Sequence, residues 1–387
     1  MDYQEIADLM QRAVAHQQSG AMVEAEALYQ EILEQQPGVD EGNGALDANA
    51  NLIFASAHNN LGVLLRVGNE PREAIENFRQ ALDLAPGHVE ALTNLGIMYL
   101  GEGNKEGAVE LLGQALELQP DYVQARIGLG EAHASLGQHE EAADAYGRAV
   151  AASPPNAHLL TMLGEAKAGA GDLDAAVSAY RKAIEVDATH IPAHNGLGRT
   201  LFSMGATDEA AGAFAMAAQL APDDPVAYNN IGLCHQRQDA TEDALDAYRK
   251  ALALEPAFVD ARGNLAFILL GMEKRQEARE ILQEGLKITP ADRFLNLVAA
   301  RCDRESGDPA SAIRRLETFV DSSLDETLHD RITAEICLEL GKNYDQQGDA
   351  EKAGKYVAQA EEIARDLPQA KYALEKTRSQ GPDSSTA

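Results

Sequence analysis

Cysteine is scarce. Cys234, Cys302 and Cys337 are the only three among 387 residues, and no two have C-x-x-C spacing. That excludes a disulfide framework, argues against a thiolate metal site, and leaves three buried thiols suited to a reducing compartment. Basic residues are also few: 32 Lys and Arg stand against 62 Asp and Glu, a formal charge of −30. Such a field repels phosphate backbones and anionic lipid, so nucleic acid is not an expected partner. Long apolar runs are missing, none approaching the roughly 18 residues that span a bilayer. Met1-Asp2-Tyr3-Gln4-Glu5 carries acid where a secretion signal needs base. A soluble cytoplasmic chain without membrane insertion is the expectation.

Length and a 45% apolar content would ordinarily give two or three globular domains. The chain's likeness to itself overrides that count. Pro86, Pro120, Pro154, Pro222, Pro256 and Pro290 fall on a 34-residue beat, with Ala188 in the one skipped place. Ala74, Ala108, Ala142, Ala176, Ala210, Ala244, Ala278 and Ala312 keep the same beat without a slip. A small series runs from Gly62 through Gly96 and Gly232 to Ala300, and a bulky one from Phe78 through Tyr146 and Tyr248 to Leu316. Outer copies with insertions bring the total to about ten, covering residues 6 to 367.

Within a period the apolar spacing is helical. Leu61, Leu64 and Leu65 sit at i, i+3 and i+4, and Ala74, Ile75, Phe78, Ala81 and Leu82 follow a turn at Gly68-Asn69. Gly103, Gly137, Gly171 and Gly205 suit the left-handed backbone of such a turn. Proline near the end of each period stops the second helix. Small residues let helix axes approach to about 8–10 Å, and Gly96 is expected to face Ala108. Bulky residues then fill the space between successive pairs, giving a single solenoid without a central core. The repeats are drawn at 6–39, 55–88, 89–122, 123–156, 157–190, 191–224, 225–258, 259–292, 293–326 and 334–367. Residues 38–47 read as an acidic glycine loop, Leu52, Ile53 and Phe54 as a backward extension of the next helix, and Leu324, Leu328 and Ile332 as extra helix. Pro368 opens a capping helix to 378 that closes a single array over 1–378, and 379–387 reads as a disordered tail.

Segments such as Ala57-His58-Asn59-Asn60-Leu61-Gly62, Ala91-Leu92-Thr93-Asn94-Leu95-Gly96 and Ala227-Tyr228-Asn229-Asn230-Ile231-Gly232 resemble the first-helix signature of the tetratricopeptide repeat. They are most similar to the arrays of O-linked N-acetylglucosamine transferases. The stretch Ala334 to Tyr344 with Gly348-Asp349 is similar to the repeat before the sulfotransferase domain in bacterial fusions. The resemblance implies an all-α, right-handed superhelical solenoid of about ten helix-turn-helix repeats, with first helices lining a concave groove that binds proteins or peptides. The fourth and eleventh places of the family's repeat often hold aromatics. Here His58 and His194 stand at the fourth and His16, His133 and His235 at the eleventh, and no H-x-x-x-H or H-E-x-x-H pair accompanies them. They are read as packing residues, and no metal is expected.

If first helices line the groove, the site consists of Asn59, Asn60, Asn94, Asn195, Arg199, Asn229, Asn230, Arg237, Asn264, Arg301, Arg304 and Lys342. Asparagine recurs at the sixth place in Asn60, Asn94, Asn230 and Asn264. Its amide offers a donor and an acceptor, so a row can satisfy an extended peptide backbone without reading side chains; the similar transferase arrays imply this use. The competing reading is that asparagine only solvates the helix face, although it is disfavoured mid-helix. Gly128, Met162 and Gly196 interrupt the row, which points to two binding segments rather than one track. The family's carboxylate clamp for chaperone tails is not visible. Arg301, Arg304 and Lys342 can form a basic lip, but Glu305, Glu335 and Glu339 lie nearby and pairing among them is the favoured reading, at ~0–1 kcal/mol per surface pair.

Enzyme signatures are missing. Gly101-Glu102-Gly103 and Gly128-Leu129-Gly130 fall in a helix turn and inside a helix, where no phosphate cradle forms. The chain is therefore expected to be a non-enzymatic scaffold without cofactor that binds extended segments of partner proteins. The alternative is the substrate-recruiting arm of a sulfotransferase or glycosyltransferase whose catalytic domain is absent from this chain. Homo-oligomerisation is a third use of the same surfaces.

Overall fold

The computed structural model of the protein describes residues 3–36, 48–320 and 330–365. Among these, twenty helices and no strand occur. They follow one another as ten pairs. The first five are α1 Tyr3–Gln18 with α2 Met22–Glu34, α3 Ala48–Val67 with α4 Pro71–Leu84, α5 Val89–Gly101 with α6 Lys105–Leu118, α7 Val123–Ser135 with α8 His139–Ala152, and α9 Ala157–Gly169 with α10 Leu173–Val186. The rest are α11 Ile191–Met204 with α12 Thr207–Leu220, α13 Pro225–Arg237 with α14 Thr241–Leu254, α15 Val259–Gly271 with α16 Arg275–Ile288, α17 Arg293–Glu305 with α18 Pro309–Val320, and α19 Arg331–Gln346 with α20 Ala350–Arg365. The fold is the all-helical repeat array expected, and α3 begins early enough to include Leu52, Ile53 and Phe54. The expected loop at 38–47, the insertion around Leu324 and Leu328, the capping helix 368–378 and the tail 379–387 lie outside the described residues; Ile332 is in α19.

Two compact units divide the chain, unit 1 at Met1–Thr200 and unit 2 at Leu201–Ala387. In each, α11 aside, a helix packs on its partner and on the helix that follows it. First helices also touch the first helices of neighbouring repeats: α1 with α3, α3 with α5 and α5 with α7 in unit 1, and α13 with α15, α15 with α17 and α17 with α19 in unit 2. Second helices do so less closely, so the first helices form the inner wall of each unit. Apolar clusters succeed one another along the units, for example Ala74, Ile75, Phe78 and Leu95, and farther on Ala142, Tyr146, Ala149 and Leu159. Each repeat therefore depends on its neighbours for burial.

The packing rule behind the small and bulky series includes a contact that the spacing did not disclose. A Cβ on Gly96 would lie 2.8 Å from Leu112, so the nearest neighbour of this glycine is the bulky residue of its own repeat. The same pairing holds for Gly62 with Phe78 at 2.7 Å, Gly164 with Tyr180 at 2.7 Å and Gly232 with Tyr248 at 2.6 Å. The large ring sits against bare backbone, and a side chain there would force it out. At the hairpin turns the left-handed residue is glycine in most repeats, as at Gly103 (φ 82°), but Asn69, Asp239 and Glu273 take φ of 63°, 58° and 60° in three of them.

A second device links successive repeats. The side chain at the fourth place of a first helix donates to the carbonyl six residues earlier, in the preceding loop. Arg126 does so to Pro120, Arg262 to Pro256, His194 Nε2 to Ala188 at 2.9 Å and Asn296 Nδ2 to Pro290 at 2.9 Å. Arg262 is 7% exposed; it also donates to the Ile281 carbonyl and pairs with Glu284 at 3.1 Å. His58 lies 3.0 Å from both Asn77 Oδ1 and Gln36 Oε1. The carbonyls of Pro120, Ala188, Pro256 and Pro290, which lie in loops beyond the last helical turn, gain a partner in this way.

Candidate functional site

The inner wall of unit 1 carries a chain of hydrogen-bonded side chains. Asn94 Nδ2 donates to Asn59 Oδ1 at 2.9 Å, Asn59 Nδ2 to Asn60 Oδ1 at 3.2 Å, Asn60 Nδ2 to the Tyr29 hydroxyl at 3.2 Å, and that hydroxyl to Gln17 Oε1 at 2.6 Å. It joins α1, α2, α3 and α5. Asn59 is 5% exposed, so it bridges repeats instead of presenting its amide, whereas Asn60 and Asn94 are half-buried.

Unit 2 repeats the motif in shorter form. Asn264 Nδ2 donates to Asn229 Oδ1 at 3.0 Å, and Asn229 is again 5% exposed. Tyr248 donates to Gln236 Oε1 at 2.8 Å, the counterpart of Tyr29 and Gln17. Half-buried Asn230 makes no side-chain hydrogen bond among the described residues, and Asn264 Oδ1 is likewise free. Arg237 is exposed; its guanidinium lies 4.1 Å from the Phe202 ring centroid and donates to the Phe202 carbonyl at 2.5 Å.

Beyond Asn94 the wall of unit 1 changes character. Gly128 leaves room for Leu112, and Gly196 for Tyr180. Burial pushes the Tyr180 hydroxyl up to about 12, and the nearby Glu165 carboxylate adds to it. Burial also raises the Glu131 carboxyl, while His158 opposes it. Arg199 is exposed, 4.0 Å from Glu165. Asn195 is half-buried, and its Oδ1 is buried with no hydrogen-bond partner among the described residues.

The three expected cations of the last repeats come together on α17 and α19. Arg301 lies 3.2 Å from Glu335 and 3.5 Å from Glu339, and Arg304 lies 2.5 Å from Glu339 and 3.9 Å from Glu305. Pairing is thus the arrangement found, but it is not a surface one, because Glu339 is 1% exposed. Removing one partner there would strand a buried charge. Lys342 is half-buried beside this cluster; burial lowers its ammonium pKa, Glu339 opposes that, and Arg304 and Arg301 add to it.

His58 and His194 are buried and hydrogen-bonded, and no group of three or more His, Cys, Asp or Glu positioned to hold a metal occurs among the described residues. All three cysteines are buried and free, and burial pushes the Cys234 and Cys337 thiols up to about 11. No helix among the described residues is long and apolar enough to cross a membrane.

Family models described as tetratricopeptide repeat match residues 53–121, 94–157, 161–225, 236–301 and 334–367. The chain is a tetratricopeptide repeat protein. As such it is an interaction scaffold, and no enzyme domain is among the matches. No curated protein sequence matches it. Among solved structures it is similar to the C-terminal part of a tetratricopeptide repeat protein from Cytophaga hutchinsonii, at 16% identity and TM-score 0.52 over 61% of this chain and 97% of that one, which shows the fold alone. It is also similar to a chain of the APC/C hetero-tetramer Cut9–Hcn1, at 20% identity and TM-score 0.48 over 73% of this chain and 52% of that one. A third is YrrB, described as having an unusual peptide-binding site, at 24% identity and TM-score 0.44 over 48% and 96%.

What the family pattern did not disclose is which asparagines are spent on the protein itself. In each doublet, Asn59-Asn60 and Asn229-Asn230, the first asparagine bridges to the next repeat, while the second is engaged in unit 1 and open in unit 2; the doublet is visible in the sequence, and that difference is not. The recurring polar residue at the fourth place was visible too, but its partner is a loop carbonyl that periodicity does not reveal.

Proposed function

We propose that the inner wall of unit 2 holds an extended segment of a partner protein, with Asn230 and Asn264 bonding its backbone. The observation that carries the reading is the free hydrogen-bonding capacity there: both groups of the Asn230 amide and Oδ1 of Asn264. A donor and an acceptor side by side match the alternating N–H and C=O of an extended chain. Arg237 flanks them. In unit 1 the equivalent amides are largely used internally, so Asn60 and Asn94 hold a segment more weakly, with Asn195 and Arg199 beyond them. The test is capture of partners from a lysate by the full chain, followed by binding of the recovered segment as a peptide. The Asn230→Ala, Asn264→Ala double variant is expected to lose about tenfold or more in affinity, from two hydrogen bonds at ~0.5–1.5 kcal/mol each, with helicity unchanged by circular dichroism. Equal binding by the parent and the double variant removes the asparagines from the site.

A further inference from the structure

The cation cluster of unit 2 does not balance. Arg301 and Arg331 engage Glu335, Arg301 and Arg304 engage Glu339, and Arg304 also reaches Glu305. With Lys342, four cations face three carboxylates, and the surplus rests on Lys342. Among the described residues no carboxylate oxygen comes within 4.0 Å of its ammonium, and it is half-buried. Glu339 and Glu305 act on it only from beyond contact, so a half-buried ammonium that has given up hydration without a carboxylate in contact is poised to accept one. Lys342 shares its place in the repeat with Phe267 and Arg301 on the preceding first helices. The Phe267 ring is 37% exposed, with the Arg301 guanidinium 5.5 Å from its centroid.

Resting on the reading of the inner wall given above, we propose that Lys342 receives the carboxylate of an Asp or Glu side chain in the bound segment, while Phe267 receives an apolar side chain of the same segment. α15, α17 and α19 touch in succession. Two interhelical steps of roughly 8–10 Å, divided by roughly 3.3 Å per extended residue, set the two side chains about five or six residues apart. The chain as a whole carries −30 and by its general field favours basic peptides, so preference for an acidic one is diagnostic of a local site.

The experiment pans a phage-displayed library of random dodecapeptides on the full chain and on its Lys342→Gln and Lys342→Arg variants. The parent and Lys342→Arg are expected to select an acidic residue at a fixed place about five or six from an apolar one, and Lys342→Gln to lose only the acidic preference. Fluorescence anisotropy with a synthetic consensus peptide should then show about three- to tenfold weaker binding to the parent when its acid is made the amide, and no such difference for Lys342→Gln. Matching thermal melts exclude misfolding of the variant. A selected pool without an acidic place, or one whose acidic preference survives Lys342→Gln, overturns this inference and leaves the asparagine reading standing. Failure of all three proteins to select any pool, or a pool indifferent to Asn230→Ala with Asn264→Ala, removes both.

Discussion

Asn59 in unit 1 and Asn229 in unit 2 occupy the same place of the repeat, and each accepts a hydrogen bond from the asparagine 35 residues on. From there the two regions part. Asn59 passes the bond on to Asn60, Tyr29 and Gln17, closing a network across three repeats, whereas Asn229 leaves Asn230 unengaged. An identical doublet thus stiffens one wall and leaves donors and acceptors open on the other. The lesson is that residue type at a repeat position does not decide between stability and recognition; what decides is whether the neighbouring repeat supplies a partner. Tyr29 supplies it in unit 1.

Three substitution pairs sharpen or break this comparison, and each is read by hydrogen exchange within its own unit, because repeat arrays need not unfold in one step. The largest effect is expected for Arg262→Ala, which deprives the Pro256 loop carbonyl, the Ile281 carbonyl of α16 and Glu284 of a buried partner and should cost about 2–4 kcal/mol in unit 2. Arg126→Ala, whose partners are one carbonyl and the exposed Asp121, should cost unit 1 less than half as much. Equal losses would mean that the shared carbonyl contact alone matters. Next, Asn59→Ala should cost about 1–3 kcal/mol because it leaves Asn60 Oδ1 and Asn94 Nδ2 unpaired together, against about 1 kcal/mol for Asn229→Ala. A larger loss for Asn229 would undo the distinction between a closed and an open network. The smallest effect is a gain. Glu273→Gly relieves a left-handed φ of 60° and should stabilise unit 2 by about 0.5–1 kcal/mol, while Asn69→Gly should gain less in unit 1, asparagine tolerating that region better. Stabilisation by Asn69→Gly equal to that by Glu273→Gly would contradict this.

Much of the architecture was legible in the sequence because it rests on period. The 34-residue spacing from Ala74 to Ala312 places a small residue at every helix contact, and the hairpin turns fall where Gly103 and its counterparts do. The site was legible only as a set of positions. Asn59 and Asn60 look equivalent in a string of letters, yet one is buried between repeats and the other is half-exposed. That Leu112 is the nearest neighbour of Gly96 was not legible, because periodicity reports spacing and not the reach of a side chain. Pairing of Arg301 and Arg304 followed from nearby acids, but the burial of Glu339, and with it the surplus on Lys342, did not.

Composition and period by themselves determined the helix pairs, their number and the face each turns to its neighbour, because those follow from local helical geometry and the need of each hairpin to bury one side. Only the tertiary structure decided which polar groups are spent. Hydrogen bonds and ion pairs depend on distances of a few tenths of an ångström between side chains some 35 residues apart, as between Asn94 and Asn59 or Arg304 and Glu339, and no spacing rule carries that precision.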